Sequence, residues 1–377
     1  MSAGDDEGAL VKVLVMGGTR FNGLALVNDL VRHGHDVTVF NRGQTEVQLP
    51  RAVNRLYGDR NDHESLTAML KREDFDVVQD VSGYSIDDVS PLFEAFKGRI
   101  GHYIFAGSTV IYADTNVLPI REETHAVDEG PKQGEYGKNK ILVERWLLDK
   151  QRTIGFNSTV MSFSMVFGPH NNIIEREQRM FMRLRAGRPV LIPGDGTTVG
   201  QIGHVDDQAK AMRMAMMNPN TYGKRYNITG KDYYTDEGYV DTFAKVVGVD
   251  PEKVFIPAQL MDDIWLDRVS LEGDTAALRP REVRSYENAA AVQALQQSNM
   301  RLAQSLIQRL NPQLHHWNHN TVFAIDRLRE DIGFVPDYTF ETAVEQTYEW
   351  FLQQGLDKVR EYDFGWEDKL IEAIRRG

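Results

Sequence analysis

Residues 11–23 run Val11-Lys12-Val13-Leu14-Val15-Met16-Gly17-Gly18-Thr19-Arg20-Phe21-Asn22-Gly23. The first six have the length and apolar character of a buried strand. Gly17 and Gly18 then let the chain turn tightly and let an anion approach the backbone, since neither carries a side chain. Beyond the turn, Leu24, Leu26, Val27, Leu30 and Val31 fall at helical spacing, and Val37–Phe40 reads as a second strand. Strand, glycine turn, helix and strand fit one βαβ unit of about 30 residues, whose helix aims its free N–H groups at a pyrophosphate. The competing reading is a plain βα turn that binds nothing. The placement of the glycines between a strand and a helix favours the ligand.

Working outward, the alternation continues. A third strand ends before Gly58, Leu66–Leu70 is helical, Asp76–Asp80 brackets a strand, Pro91–Phe96 is helical and His102–Ala106 is a strand. A long helix fits Tyr136–Leu148, then a strand Ser158–Ser162. Alternation of this kind specifies an α/β fold, a doubly wound parallel sheet covered by helices on both faces. Pro189–Pro193 and Gly203–Val205 read as short strands, Val205–Met217 as a helix, and Tyr226–Thr229 as a late strand of the same sheet. The expected organisation is a flexible tail at 1–9, a Rossmann-type domain of 10–168 plus about 200–232, and a smaller, mostly helical substrate lobe of 169–199 plus 233–377. Within 287–310, Val292, Leu295, Leu302, Leu306 and Leu310 form the stripe of an amphipathic helix.

Composition narrows the classes of function. The chain has 377 residues, 41% hydrophobic and 26% charged, as in an ordinary soluble globular protein. Its formal charge of −12 repels phosphate backbones unless cations gather on one face, so no nucleic acid is expected as a partner. There is no cysteine, which excludes disulfides, thiolate metal sites and thiol nucleophiles. No apolar run approaches the ~20 residues that span a bilayer, and the start lacks a signal-peptide pattern, so a cytoplasmic protein without membrane contact is expected.

The second strand ends at Phe40-Asn41-Arg42-Gly43. An acid there would grip the ribose hydroxyls of NAD, whereas an arginine suits the extra phosphate of NADP. Arg20 is a second cation for the same phosphate. Both arginines could instead be solvated, and NAD(P), leaning to NADP, is the expectation. In Gly58-Asp59-Arg60, Asp59 is a candidate for the adenine amino group or for a helix cap. Tyr136-Gly137-Lys138-Asn139-Lys140 puts Tyr136 and Lys140 on one helix face. A lysine cation beside a phenol lowers its pKa and makes it a usable acid or base. Ser108 follows the fifth strand at the carboxyl edge of the sheet, where ligands bind.

At these residues the sequence resembles the extended short-chain dehydrogenase/reductases, the NAD-dependent epimerase/dehydratase family. The resemblance rests on Gly17–Gly23, Ser108–Tyr112, Tyr136–Lys140, Phe167-Gly168-Pro169, Pro193–Gly196 and His204–Asp207, with Asp326–Phe334 and Tyr338–Phe351 similar to that family's C-terminal segment. It implies a Rossmann domain with a substrate lobe, Tyr136 as general acid/base, Lys140 as its helper and ribose ligand, and Ser108 as substrate anchor. With Thr19, Phe21, Asn22 and Asn41, the cofactor candidates comprise Gly17–Gly23, Asn41, Arg42, Asp59, Arg60, Tyr136 and Lys140. Two subunits pairing through the helix of the Tyr-Lys motif and its neighbour are implied as well, so a homodimer is expected. The reaction implied is an epimerisation at a carbinol carbon of a sugar-like small molecule; a net carbonyl reductase is the alternative.

The departures carry information too. Dehydratases of the family have Thr-Asp-Glu where this chain has Ser108-Thr109-Val110, so the acid pair that eliminates water is missing. Ser162 and Gly200 stand where many sugar-nucleotide members keep arginines, Arg20 stands where a glycine is usual, and 267–316 reads as an insertion. The turn and the stretch Phe167–Asp206 also resemble the chloroplast stem-loop RNA-binding proteins of the superfamily, which makes an RNA-binding scaffold the rival. The clusters Arg176–Arg185 and Arg279–Arg284 read as solvated faces, as do Glu175, Arg176 and Glu177. His315, His316 and His319 around Trp317 read as a surface turn and not a metal site, and His204 reads as structural.

Overall fold

The apolar run at the start divides by parity. In β1 (Lys12–Met16), Val13 and Val15 enter one core while Leu14 and Met16 enter another. A strand buried on both faces belongs inside a parallel sheet. The computed structural model describes residues 10–130, 133–173, 176–265 and 316–376. The tail at 1–9, nearly all of the expected insertion at 267–316, the stripe at 287–310, Arg279–Arg284, Glu175 and His315 lie outside the described residues.

The chain continues through α1 (Phe21–Arg32), β2 (Asp36–Asn41), β3 (Asn54–Tyr57), α2 (His63–Leu70), β4 (Val77–Asp80), α3 (Ile86–Phe96) and β5 (His102–Ser108). Then come α4 (Glu135–Ile154), β6 (Ser158–Phe163), β7 (Val166–Phe167), α5 (Glu177–Arg185), β8 (Val190–Pro193), β9 (Val199–Gly200), β10 (Gly203–His204), α6 (Val205–Met214) and β11 (Lys224–Ile228). Seven of these strands form one sheet in the order β11-β6-β5-β4-β1-β2-β3, and every pairing in it is parallel. Apolar residues of α1 and α6 cover one face; those of α2, α3 and α4 cover the other. The fold is therefore the doubly wound α/β architecture, with the strand after α6 joining the sheet as its last member.

Strand order reverses between β1 and β4. The chain winds one way through β2 and β3, then returns and winds the other way from β4. Met16 lies level with both Phe40 and Asp80, and Asp80 with Phe105, so the carboxyl ends of β2, β1, β4 and β5 open on one edge. A crevice at such a reversal is where open α/β sheets bind ligands.

The second lobe carries β12 (Tyr234–Thr235), α7 (Asp236–Val247), β13 (Lys253–Ile256) and α8 (Ala258–Trp265); α9 (Asp326–Ile332) returns to pack Leu328 into the core of the sheet domain beside β11, and α10 (Phe340–Gln353), α11 (Leu356–Val359) and α12 (Gly365–Arg376) complete the chain. Phe181, Phe243, Val344 and Phe351 form the centre of its core. Two charge readings are corrected here. Arg179 and Arg183 are not a solvated face: both are buried, and both pair with Glu367 of α12, Arg179 at 2.6 Å and Arg183 at 3.2 Å. Glu177 is not an exposed helix charge: it is fully buried and held by the Asn171 amide at 2.8 and 3.1 Å. Burial pushes its carboxyl up to about 7. In both cases a partner distant in sequence or in a loop offsets a desolvation that α5 alone could not sustain.

Most of the apolar residues of α4 are covered within the chain. Ile141, Val143 and Leu147 are buried, Trp146 packs edge-on against Phe93 at 5.1 Å, and Leu142 is the half-exposed member of the group. No helix among the described residues is long and apolar enough to cross a membrane.

Candidate active site

Gly17 follows β1 with φ +92°, a conformation that an L side chain adopts only with strain. A Cβ there would stand 2.7 Å from the Cβ of Ser82, so this turn lies directly against the loop after β4. At Gly23 a Cβ would meet the Gly17 carbonyl at 2.1 Å, which lets α1 seat tightly on the turn. Phe21, the first helical residue, has φ +32°. A bulky residue at positive φ is a strained position, and such strain gathers at ligand-binding turns. No side chain caps the N-terminus of α1, so its leading N–H groups are left to a ligand or solvent. Thr19 is half-buried in the same turn.

The other cofactor candidates divide into two groups. Arg20 and Arg42 are exposed on the rim, and Arg20 Nε donates to Thr45 Oγ1 at 3.1 Å, leaning toward the loop after β2. Asn41 closes β2 with its Oδ1 accepting from Gly43 N at 2.7 Å, while its Nδ2 is buried with no hydrogen-bond partner. Asn22 Oδ1 is orphaned likewise. Buried polar atoms without partners at the end of β2 and the start of α1 fit a ribose-bearing ligand, because burial without such a partner is costly. Asp59 is exposed and accepts from Asn61 N at 2.9 Å; the α2 cap itself is Asp62. Arg60 stands apart from Arg20 and Arg42. Its guanidinium is buried, donating to Asp80 Oδ2 at 2.5 Å and to Ser82 Oγ at 2.6 Å.

Tyr136 and Lys140 lie one turn apart at the start of α4. Lys140 is 5% exposed and its Nζ donates to Gly83 O at 2.7 Å and to Ala106 O at 2.8 Å, tying α4 to the ends of β4 and β5. Around the ammonium stand the rings of Phe105 at 4.5 Å, Tyr84 at 5.1 Å and Tyr136 at 5.7 Å. Burial pushes Lys140 down to about 7, with Asp80 and Asp88 opposing the fall and Arg60 adding to it. Tyr136 is 41% exposed, so the phenol faces the crevice while its lysine is dry. Ser108 ends β5, two residues past Ala106, and its Oγ accepts from Val110 N at 3.3 Å. The crevice thus gathers Gly17–Gly23, Asn41, Ser108, Tyr136 and Lys140 at one edge of the sheet.

Residues that sequence reasoning missed complete the arrangement. Asp80, fully buried, accepts from Arg60, from Tyr103 OH at 2.6 Å, and from the N–H groups of Ser82 and Gly83 at 3.1 and 3.0 Å. Burial alone would raise its carboxyl; the Arg60 charge and these donors hold it below the ordinary carboxylate range. Tyr84 lies beside Tyr136, ring centroids 6.1 Å apart, with its backbone fixed by Tyr84 N donating to Asp88 Oδ2 at 2.9 Å. An acid closing the short run Val77-Val78-Gln79 was the available signal for Asp80. His204 is buried, caps α6 and stacks on Tyr338 at 4.0 Å; burial lowers it to about 4. Trp317 Nε1 donates to Asp262 at 2.7 Å and His319 pairs with Asp114 at 3.0 Å; no three potential metal ligands converge among the described residues.

The chain is similar to known proteins over this region. Residues 13–229 match the NAD dependent epimerase/dehydratase family. The chloroplast stem-loop binding protein of 41 kDa b from Arabidopsis thaliana is 37% identical over 258 residues, covering 64% of this chain and 65% of that protein. This chain therefore spans slightly less than two thirds of that relative's length. UDP-glucose 4-epimerase of Corynebacterium glutamicum is 24% identical over 295 residues, covering 67% of this chain and 87% of the enzyme. The solved structure of UDP-glucuronic acid 4-epimerase from Bacillus cereus in complex with NAD superposes with a TM-score of 0.64 at 17% identity, covering 91% of this chain and 99% of that one. At that identity the likeness speaks for the fold.

Proposed function

The chain belongs to the NAD-dependent epimerase/dehydratase family, and from that premise we propose that it is an NAD(P)-dependent epimerase acting at a carbinol carbon of a sugar-like substrate. The observation that carries the reading is Lys140: a buried ammonium anchored on the ends of β4 and β5, one helical turn from a tyrosine that faces the crevice. A dry cation beside a phenol favours the phenolate, which is what a general base needs near neutral pH. A dinucleotide held in this crevice would supply the hydride acceptor and donor for the carbinol carbon. Tyr136 Oη takes the hydroxyl proton as the carbonyl forms and gives it back on reduction. Ser108 Oγ holds the same oxygen by a hydrogen bond, and Lys140 Nζ keeps one donor for a ribose hydroxyl beside its two carbonyl contacts. Gly17–Gly23 would cradle the pyrophosphate, Asn41 would meet the adenosine ribose and Asp59 the adenine. Arg42 and Arg20 supply charge for a 2′-phosphate, which supports NADP over NAD. The missing acids at Thr109 and Val110 speak against dehydration.

Two measurements test this. The dinucleotide released on denaturing the purified protein is identified first; a protein that carries none and binds neither added NAD nor NADP is not this enzyme. Tyr136→Phe then removes the proton carrier and leaves the ring. It lowers turnover by ~10²–10⁴-fold while dinucleotide affinity stays within a factor of a few. A second reading is favoured by the Arabidopsis relative: recognition of stem-loop RNA on the same scaffold. With a formal charge of −12, affinity tighter than the ~10⁻⁴–10⁻⁶ M of non-specific binding would need a dedicated basic face. A stem-loop-selective complex at physiological salt would establish it.

A further inference from the structure

The β4–α3 loop is held from three directions. Asp80 accepts from Ser82 N and Gly83 N, Arg60 donates to Ser82 Oγ, and Lys140 donates to Gly83 O. The loop in turn lies against Gly17 of the glycine turn, where a Cβ would already crowd Ser82. The groups facing Lys140 come from every element packed around it. They are Asp80 at the end of β4, Arg60 from the loop before α2, Asp88 from α3, and the rings of Phe105 from β5, Tyr84 and Tyr136. A buried lysine is costly in its charged form, and a buried carboxylate nearby is what offsets that cost. Asp80 is fixed in its ionised form by Arg60, by Tyr103 OH and by two backbone N–H groups, so its charge does not depend on one partner alone.

We propose that the buried Arg60–Asp80 pair is the charge-setting and positioning device of this site: Asp80 keeps Lys140 an ammonium and fixes the Ser82–Gly83 loop, and Arg60 restrains that effect, so the pair sets the pH range over which the dinucleotide ribose is gripped. Neither residue touches the dinucleotide; both act through Lys140 and the loop. The two charges act on Lys140 with opposite signs, so removing one or the other moves its titration in opposite directions. A purely structural pair would behave differently, since losing either partner would loosen the same loop in the same sense.

The inference rests on the dinucleotide reading above, and the experiment separates the two. NADH and NADPH are titrated by nicotinamide fluorescence into the full chain across neutral pH, for the wild type, Asp80→Asn, Arg60→Met and Lys140→Met. In the wild type the affinity falls as pH rises through about 7, where Lys140 loses its proton. Asp80→Asn moves that midpoint down by about one unit, which makes binding roughly tenfold weaker just above neutrality. Arg60→Met moves it up, and Lys140→Met abolishes the dependence. If the wild type binds neither dinucleotide, the functional reading fails and this proposal with it. If it binds but the two midpoints move together or stay put, or the dependence survives in Lys140→Met, the proposal alone is overturned. Should Asp80→Asn or Arg60→Met not fold, the direction of the displacement in the other decides: downward in Asp80→Asn or upward in Arg60→Met supports the proposal, and any other result refutes it.

Discussion

Replacing Lys140 by methionine tests the buried cation without any substrate. Methionine is nearly as long as the lysine stem and fills most of the same space. What it removes is an ammonium that burial displaces from 10.5 to about 7. The sign follows from proton counting. Between pH 7 and 10.5 the unfolded chain keeps this proton while the folded chain has released it, so the unfolded state binds more protons and stability rises with pH. Below 7 both states are charged and the full cost of the buried charge is felt, on the order of 4–5 kcal/mol for a displacement of this size. The wild type should therefore gain about 1.4 kcal/mol per pH unit relative to Lys140→Met between roughly 7.5 and 9.5. The carbonyls of Gly83 and Ala106 lose a donor in the variant, but that loss is the same at every pH and leaves the slope untouched. Glu177, which titrates near 7, and Asp207, pushed up to about 6 chiefly by burial, occur in both proteins and cancel in the difference. The assay is urea unfolding of the dinucleotide-free protein at a series of pH values, with the m-value checked for constancy. Parallel stability curves for the two proteins would mean that Lys140 is not a desolvated cation, and the account of Tyr136 activation would fall with it.

Further outcomes can be stated briefly. Arg42→Ala should weaken NADP about 10–100-fold, the worth of a charged hydrogen bond, and leave NAD nearly unchanged; equal effects on both, by calorimetry, would place Arg42 outside the phosphate site. Glu367→Gln leaves Arg179 and Arg183 buried beside a neutral amide and should cost about 3–5 kcal/mol in unfolding free energy, a loss below 1 arguing that α12 is not held by this cluster. For a homodimer built on α3 and α4, sedimentation equilibrium should give twice the 42.9 kDa of one chain, and Leu142→Lys should shift the population toward monomer; a micromolar monomer in the wild type removes the dimer.

The sequence alone determined the frame of this protein because the frame is written in local periodicity. The run Val11–Met16, the glycines, and the helical spacing from Leu24 to Val31 specify β1, the turn and α1 with no reference to the rest of the chain. The i, i+4 relation of Tyr136 and Lys140 is equally local, since any helix puts those positions on one face. Even the seventh strand, β11, is legible in its apolar residues at Tyr226 and Ile228. Tertiary structure alone decided which charges are buried. Arg60 and Asp80 lie 20 residues apart, and Arg179 and Glu367 188 apart, so nothing in either neighbourhood reveals the partner. A charged residue read in isolation is rightly placed in water, because desolvating it unpaired costs more than a small domain can sustain. Only the fold that brings the second charge into reach reverses that balance. That is why Asp80, at the end of a buried strand, and Glu177, at the start of a helix, were legible as acids but not as parts of a core or a site.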